Sequence, residues 1–134
     1  MRSPLLSSTS LQLDLGLFLL RLVSGGAMLT HGLPKLQKIL AGNYQFADPI
    51  GLGPELSLIL VTFAEVICAI LIIVGLLTKL AAIPLIIDMA VAFFIVHQTD
   101  PFGDKEITLI FLGMFLALFF TGPGRYSLDR GIFK

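Results

Sequence analysis

Four long apolar runs, separated by short polar breaks, organise this chain. The first extends from about Leu11 to Leu33, the second from about Leu56 to Leu77, the third from about Leu80 to Val96 and the fourth from about Ile107 to Thr121. A helix of roughly 20 apolar residues crosses the hydrocarbon core of a bilayer. The pattern therefore predicts an all-α protein, an integral membrane four-helix bundle, in a single domain over residues 1–134. The last two runs are short, so those helices are expected to stand nearly upright or to borrow interfacial residues.

The breaks carry their own signals. Gly32-Leu33-Pro34-Lys35 closes the first run and leads into a polar loop with Asn43, Asp48-Pro49 and Gly51-Leu52-Gly53-Pro54. Pro54 suits the first turn of the second helix, where a missing N–H costs nothing, and Glu55 complements the helix dipole. Gly75-Leu76-Leu77-Thr78-Lys79 reads as a tight helical hairpin, and Pro84 is expected to kink the third helix near its start. His97 to Asp104 forms the third connection, and Gly122-Pro123-Gly124 stops the fourth helix. Arg2 and the first run only weakly resemble a cleaved signal peptide. The run is long, contains Arg21 and lacks an A-x-A site, so it is read as a retained span.

Composition sharpens the picture. Apolar residues make up 56% of the chain and charged residues 13%, about half the charged share of a soluble domain. The net charge of zero gives no footing for nucleic-acid binding. The lone Cys68 excludes an internal disulfide, a self-contained dithiol exchanger and c-type haem attachment. With no Trp, the interface anchors must be Tyr, Phe, Lys and Arg. Arg2, Lys79, Arg125, Arg130 and Lys134 fall on one side of the membrane, and Lys35, Lys38 and Lys105 on the other. This bias predicts that both termini are cytoplasmic. Asp48, Glu55, Asp100, Asp104 and Glu106 lie on the opposite side.

The candidate chemistry lies in ionisable residues at depth, which are costly in a membrane and functional candidates by default. At the rise of an α-helix, Arg21, Glu65 and Asp88 all fall near mid-membrane. The cheapest arrangement has all three face the interior and pair. Two acids against one base then leave one negative charge unmatched. Either one carboxyl carries a proton, or a further cation or ligand is present. A structural ion pair that fixes helix register is the competing reading.

His31, His97 and Glu106 form a second group, at one depth near the outer face. On an ideal helix Arg21 and His31 differ by about 80° and share a face, whereas Asp88 and His97 differ by about 180°. Asp88 and His97 cannot both point inward unless the helix distorts. The histidines admit three readings. They can be water-bonded interfacial side chains, they can hold a quinone head group, or they can ligate haem or metal; no HxxxH spacing supports the last. Phe111, Phe115 and Phe119 form an i, i+4, i+8 stripe, with Phe93 and Phe94 on the third run. That stripe suits lipid contact or packing, or an aromatic-walled slot for a flat ligand. Gly113, Ala117 and Thr121, and Gly25-Gly26, are small-residue positions where helices can approach closely.

Taken in order, these features resemble the DoxX family of small four-helix membrane proteins. The resemblance rests on Leu20-Arg21-Leu22-Val23-Ser24-Gly25, then Met28-Leu29-Thr30-His31-Gly32-Leu33-Pro34-Lys35-Leu36. It continues with Glu65 in mid-helix and Gly75-Leu76-Leu77-Thr78-Lys79-Leu80-Ala81-Ala82. A histidine closes the third run and an acid opens the fourth. Gly122-Pro123-Gly124-Arg125-Tyr126-Ser127-Leu128-Asp129 completes it. The resemblance implies an inner-membrane protein, redox-associated in some relatives, with Arg21, His31, Glu65, His97 and Glu106 in an internal polar site. Asp88 enters from its depth alone. The sequence as read has no large soluble extension of the kind some thiosulfate-oxidising relatives carry, which weighs against direct thiosulfate oxidation.

The leading expectation is a membrane subunit that binds quinone among its helices, with His31 on the head group, Glu65 exchanging protons and Arg21 holding the neighbouring charge. A non-catalytic assembly subunit of a larger membrane complex, or a homo-oligomer, is the alternative. Transport of a small solute is weaker, because no inverted repeat is evident.

Overall fold

A computed structural model describes residues 5–133; Arg2 and Lys134, counted above for orientation, lie outside them. Helix α1 spans Ser10–Leu40, α2 Pro54–Val74, α3 Thr78–Val96, α4 Phe102–Thr121 and the short α5 Leu128–Ile132. Each of the four long helices reverses direction from the one before, and they pack in the cyclic order α1–α2–α3–α4. Helices α1, α2 and α3 are long and apolar enough to cross a membrane. Helix α4 has 20 residues, about 30 Å at 1.5 Å per residue, and carries Asp104, Lys105 and Glu106 near its start.

Two boundaries differ from the sequence expectation. Gly32-Leu33-Pro34 does not end the first helix, which continues through Pro34 to Leu40. At 31 residues it is about 46 Å long and projects beyond the roughly 30 Å hydrocarbon core. The fourth helix starts at Phe102 rather than near Ile107, so the acidic turn is helical, where its charge favours the helix N-terminus.

Helix ends follow local rules. Thr9 and Gln12 form a capping box on α1: Thr9 Oγ1 accepts from Gln12 N–H at 3.2 Å and Gln12 Oε1 accepts from Thr9 N–H at 2.9 Å. Pro54 occupies the first turn of α2 as expected. Gly75 closes α2 with φ of 71°, a left-handed cap that favours glycine. Leu77 also has positive φ, 51°, which costs about 1–3 kcal/mol. Asp129 offsets this strain, its carboxylate accepting from Leu77 N–H at 2.6 Å and Thr78 N–H at 2.9 Å.

The core is a seam of Met28, Ala64, Ala69, Ile72, Ala82, Leu85, Phe115 and Leu118. The perimeter is apolar too, with Leu19, Leu80, Phe94 and Phe120 each at least 60% exposed. A soluble protein does not present such a surface; a lipid-facing bundle does.

Small residues set the α1–α2 spacing. A Cβ on Gly25 would stand 2.6 Å from Ile73 Cγ1 and 2.9 Å from the Ala69 carbonyl oxygen. One on Gly32 would stand 2.6 Å from the Glu65 carbonyl oxygen. Gly26, by contrast, faces open space, so only the first of the Gly25-Gly26 pair acts as a contact.

Candidate functional site

The ionisable residues separate into two centres. Arg21, fully buried, lies toward the end of the bundle that carries the α2–α3 turn and α5. Its Nη1 donates to the Ile73 carbonyl at 2.9 Å, and its Nη2 donates to the Tyr126 carbonyl. The guanidinium lies 5.5 Å from the Phe18 ring centroid. These contacts fasten the segment after α4 against the α2–α3 turn, where Asp129 N–H also donates to the Gly75 carbonyl at 2.8 Å. Arg21 therefore does not pair with Glu65 and Asp88 as depth alone suggested. The carbonyl of Ile73, next to the Gly75 turn, and that of Tyr126, in the segment after α4, take Nη1 and Nη2 instead, while the buried Nε has no partner; rise per residue says nothing of loops that fold back onto a helix end.

The second centre is a cavity of about 350 Å³ toward the other end of the bundle. His31, Glu65, Asp88 and His97 all line it, with Lys35, Asp104, Thr108 and Phe111. The loop after α1 adds Phe46, Ala47 and Pro49. That loop is pinned by Asp48, whose Oδ1 accepts from Gly53 N–H at 3.0 Å and from the Ser57 hydroxyl at 3.3 Å.

Local helix geometry aims these groups. Phe63–Cys68 is π-helical and contains Glu65. The i→i+5 winding is a frequent device at functional sites. Gly32 lets α1 touch the backbone of Glu65. One turn further along α1, Lys35 Nζ reaches Glu65 Oε2 at 2.6 Å and the His31 carbonyl at 3.2 Å. The Glu65 side chain is 5% exposed and that of Lys35 is 23% exposed. The pair thus joins a buried anion to a cation that keeps some contact with the outside.

Asp88 lines the same cavity from α3. Asp88 Oδ2 is buried and has no partner, a state that native structures seldom leave unexplained.

A second π-helical segment, Ala92–Val96, ends α3. It lies between Asp88 and His97, and its wider winding narrows the half-turn by which an ideal α-helix would separate them; both line one cavity. His97 Nδ1 lies 2.7 Å from Asp100 Oδ2 at the partly exposed mouth. The His31 ring meets Phe111 edge-on at 5.7 Å, and Phe111 stacks on Phe115 at 5.9 Å. The phenylalanine stripe thus begins as cavity wall and continues as core.

Glu106 is exposed and does not line the cavity. With α4 beginning at Phe102, Asp104, Thr108 and Phe111 share the inward face at i, i+4 and i+7, and Glu106 falls off it. Lys35, Asp104 and Asp100 escaped the sequence-based site. The placement of Lys35, four residues after His31, was the signal available for it.

Comparison with known proteins agrees with this architecture. The family model described as DoxX matches residues 16–98. A protein of Bacillus subtilis, named as a candidate oxidoreductase, CatD, is 30% identical over 90% of this chain and 90% of its own length. An uncharacterised membrane protein of Mycobacterium tuberculosis is 30% identical over 86% of this chain and 80% of its own. The inner membrane protein YphA of Escherichia coli is 33% identical over 74% of this chain and 77% of its own. No solved structure gives a significant match.

Proposed function

Since the chain belongs to the DoxX family, we propose that its cavity binds the head group of a membrane quinone, or a similar flat apolar ligand, and exchanges protons with it. One observation carries this reading. Apolar walls, chiefly Met28, Val61, Met89 and Phe111, enclose a small set of proton-bearing groups that converge from all four long helices. Binding sites for flat apolar ligands have this make-up.

In this reading the Lys35 ammonium and a His31 ring N–H donate to a ligand carbonyl. The Glu65–Asp88 carboxyl pair holds the proton nearest the ligand. His97, bonded to Asp100 at the mouth, connects the cavity to water. A bound quinone supplies two carbonyl oxygens that accept protons on reduction, and the naming of the Bacillus relative as a candidate oxidoreductase supports such a ligand.

Purification in mild detergent followed by lipid extraction tests the reading. Quinone is expected to co-purify, and both His31→Ala and Lys35→Met are expected to weaken quinone binding at least about tenfold, the loss of roughly one charge-assisted hydrogen bond. Absence of quinone, with binding indifferent to His31→Ala, sinks the proposal. A Soret band in well-loaded protein would favour haem instead.

A second reading, an assembly subunit of a larger membrane complex, draws on α4. Gly113, Ala117 and Thr121 are exposed along one stripe, with open space beside Gly113, as helix–helix docking requires. Co-purification with a larger enzyme, lost in Gly113→Leu and retained in His31→Ala, distinguishes this role.

A further inference from the structure

Beside the polar cavity lies a second, almost wholly apolar groove of about 300 Å³ between α2 and α3. Its lips are Leu60, Phe63 and Ile87, at 46%, 47% and 57% exposure, so it opens sideways onto the lipid-facing surface. Four residues, Pro49, Val61, Asp88 and Val91, line both spaces. The partition between groove and cavity is therefore a single layer of side chains. Apart from Asp88, the only polar side chain in the groove is Ser57, whose hydroxyl is engaged by Asp48. Asp88 Oδ2 is buried without a partner in this partition.

A groove of this kind is poorly suited to a water-borne ligand. The mouth of the cavity, by contrast, carries His97, Asp100 and Asp104, which disfavour passage of an apolar chain. We propose that the ligand of the cavity carries a long hydrocarbon chain and reaches the site laterally from the bilayer, between α2 and α3. Its chain lies in the groove and its polar head stands past Asp88. This inference rests on the head-group reading above and adds the ligand class, a membrane lipid with a long hydrocarbon tail, together with its route. In its reduced, quinol form the head carries hydroxyls, and one of them donates to Asp88 Oδ2 as it passes the partition.

The test occludes the groove and leaves the cavity untouched. Ile87→Trp places a ring on one lip, and Leu60→Trp places one on the other should the first variant fail to fold. Binding of a long-chain isoprenoid quinone and of a tailless quinone of the same head group is measured in lipid nanodiscs. Each ligand is compared with itself across variants, so partitioning into lipid cancels. Occlusion is expected to weaken the tailed ligand about tenfold or more, the order set by overfilling a packed space, and to leave the tailless one within about twofold, as for a surface change away from the site. Equal affinity of the tailed ligand for wild type and for the variant that retains tailless binding overturns the lateral route while the head-group reading survives. Failure of both ligands to bind the wild-type protein overturns the head-group reading, and the route with it.

Discussion

Substitution of Gly32 by alanine probes the contact that positions Glu65. The new methyl would stand 2.6 Å from the Glu65 carbonyl oxygen, 2.7 Å from its carbonyl carbon and 2.8 Å from its Cβ. Ordinary contacts begin near 3.4 Å, so α1 and α2 must separate by most of an ångström. None of the three atoms is the free end of a flexible side chain. Overpacking of this kind costs about 1–3 kcal/mol, whereas alanine gains at most about 1 kcal/mol over glycine in a helix interior. The expected balance is a destabilisation of about 1–2 kcal/mol. Gly26→Ala is the matched control. It lies in the same helix, and its Cβ meets nothing within 4 Å, so it should range from neutral to about 1 kcal/mol stabilising. Helix propensity cancels between the two, leaving the interhelical contact. Unfolding by increasing SDS mole fraction, followed by far-UV circular dichroism, measures both. Gly32→Ala should also weaken ligand binding, because separation of the helices draws Lys35 away from Glu65. Equal stability of the two variants would refute the close approach and the positioning role assigned to Gly32.

Other outcomes follow from the same contacts. Lys35→Met leaves the Glu65 carboxylate unpaired and should cost about 2–4 kcal/mol, slightly under the range for a fully buried pair because Lys35 is partly exposed. Adding Glu65→Gln should recover much of that loss, so an SDS-unfolding double-mutant cycle is expected to show coupling above about 1 kcal/mol. Asp129→Ala removes the carboxylate that accepts from two backbone N–H groups at the start of α3 and should destabilise by about 1–2 kcal/mol in the same assay, as loss of a helix cap does. Arg21→Met frees the carbonyls of Ile73 and Tyr126 and should cost about 2–3 kcal/mol. Limited proteolysis should then cut the segment after α4 faster, while quinone affinity stays unchanged, because Arg21 lies outside the cavity. A matching loss of affinity would return Arg21 to the site.

Much of the cavity was legible in sequence. His31, Glu65, Asp88 and His97 stood out because an ionisable group is expensive in an apolar run, and a folded membrane protein relieves that cost by gathering such groups together. Asp88 and His97 showed the limit of the method. Ideal winding set them on opposite faces, and the departure from it, a π-helical turn at Ala92–Val96 followed by a non-helical His97, goes with both lining one cavity. Glu106 was placed by its depth and by the resemblance, and depth says nothing of which face of α4 a residue occupies; it is exposed and outside the cavity. Arg21 failed because its partners are backbone carbonyls of Ile73 and Tyr126, the latter 105 residues away in the chain, and carbonyls leave no mark in a list of side chains.

Hydrophobic periods and breaks by themselves determined the class, the helices and the membrane setting, since transfer of apolar side chains out of water depends on composition and run length rather than on neighbours. Tertiary structure decided which charges meet. Gly32 against Glu65 and the fold-back onto Arg21 each depend on contacts between distant segments. These contacts divided one expected cluster at depth into a structural arginine knot and a separate cavity. They also placed Asp88 in the thin wall between that cavity and the lipid.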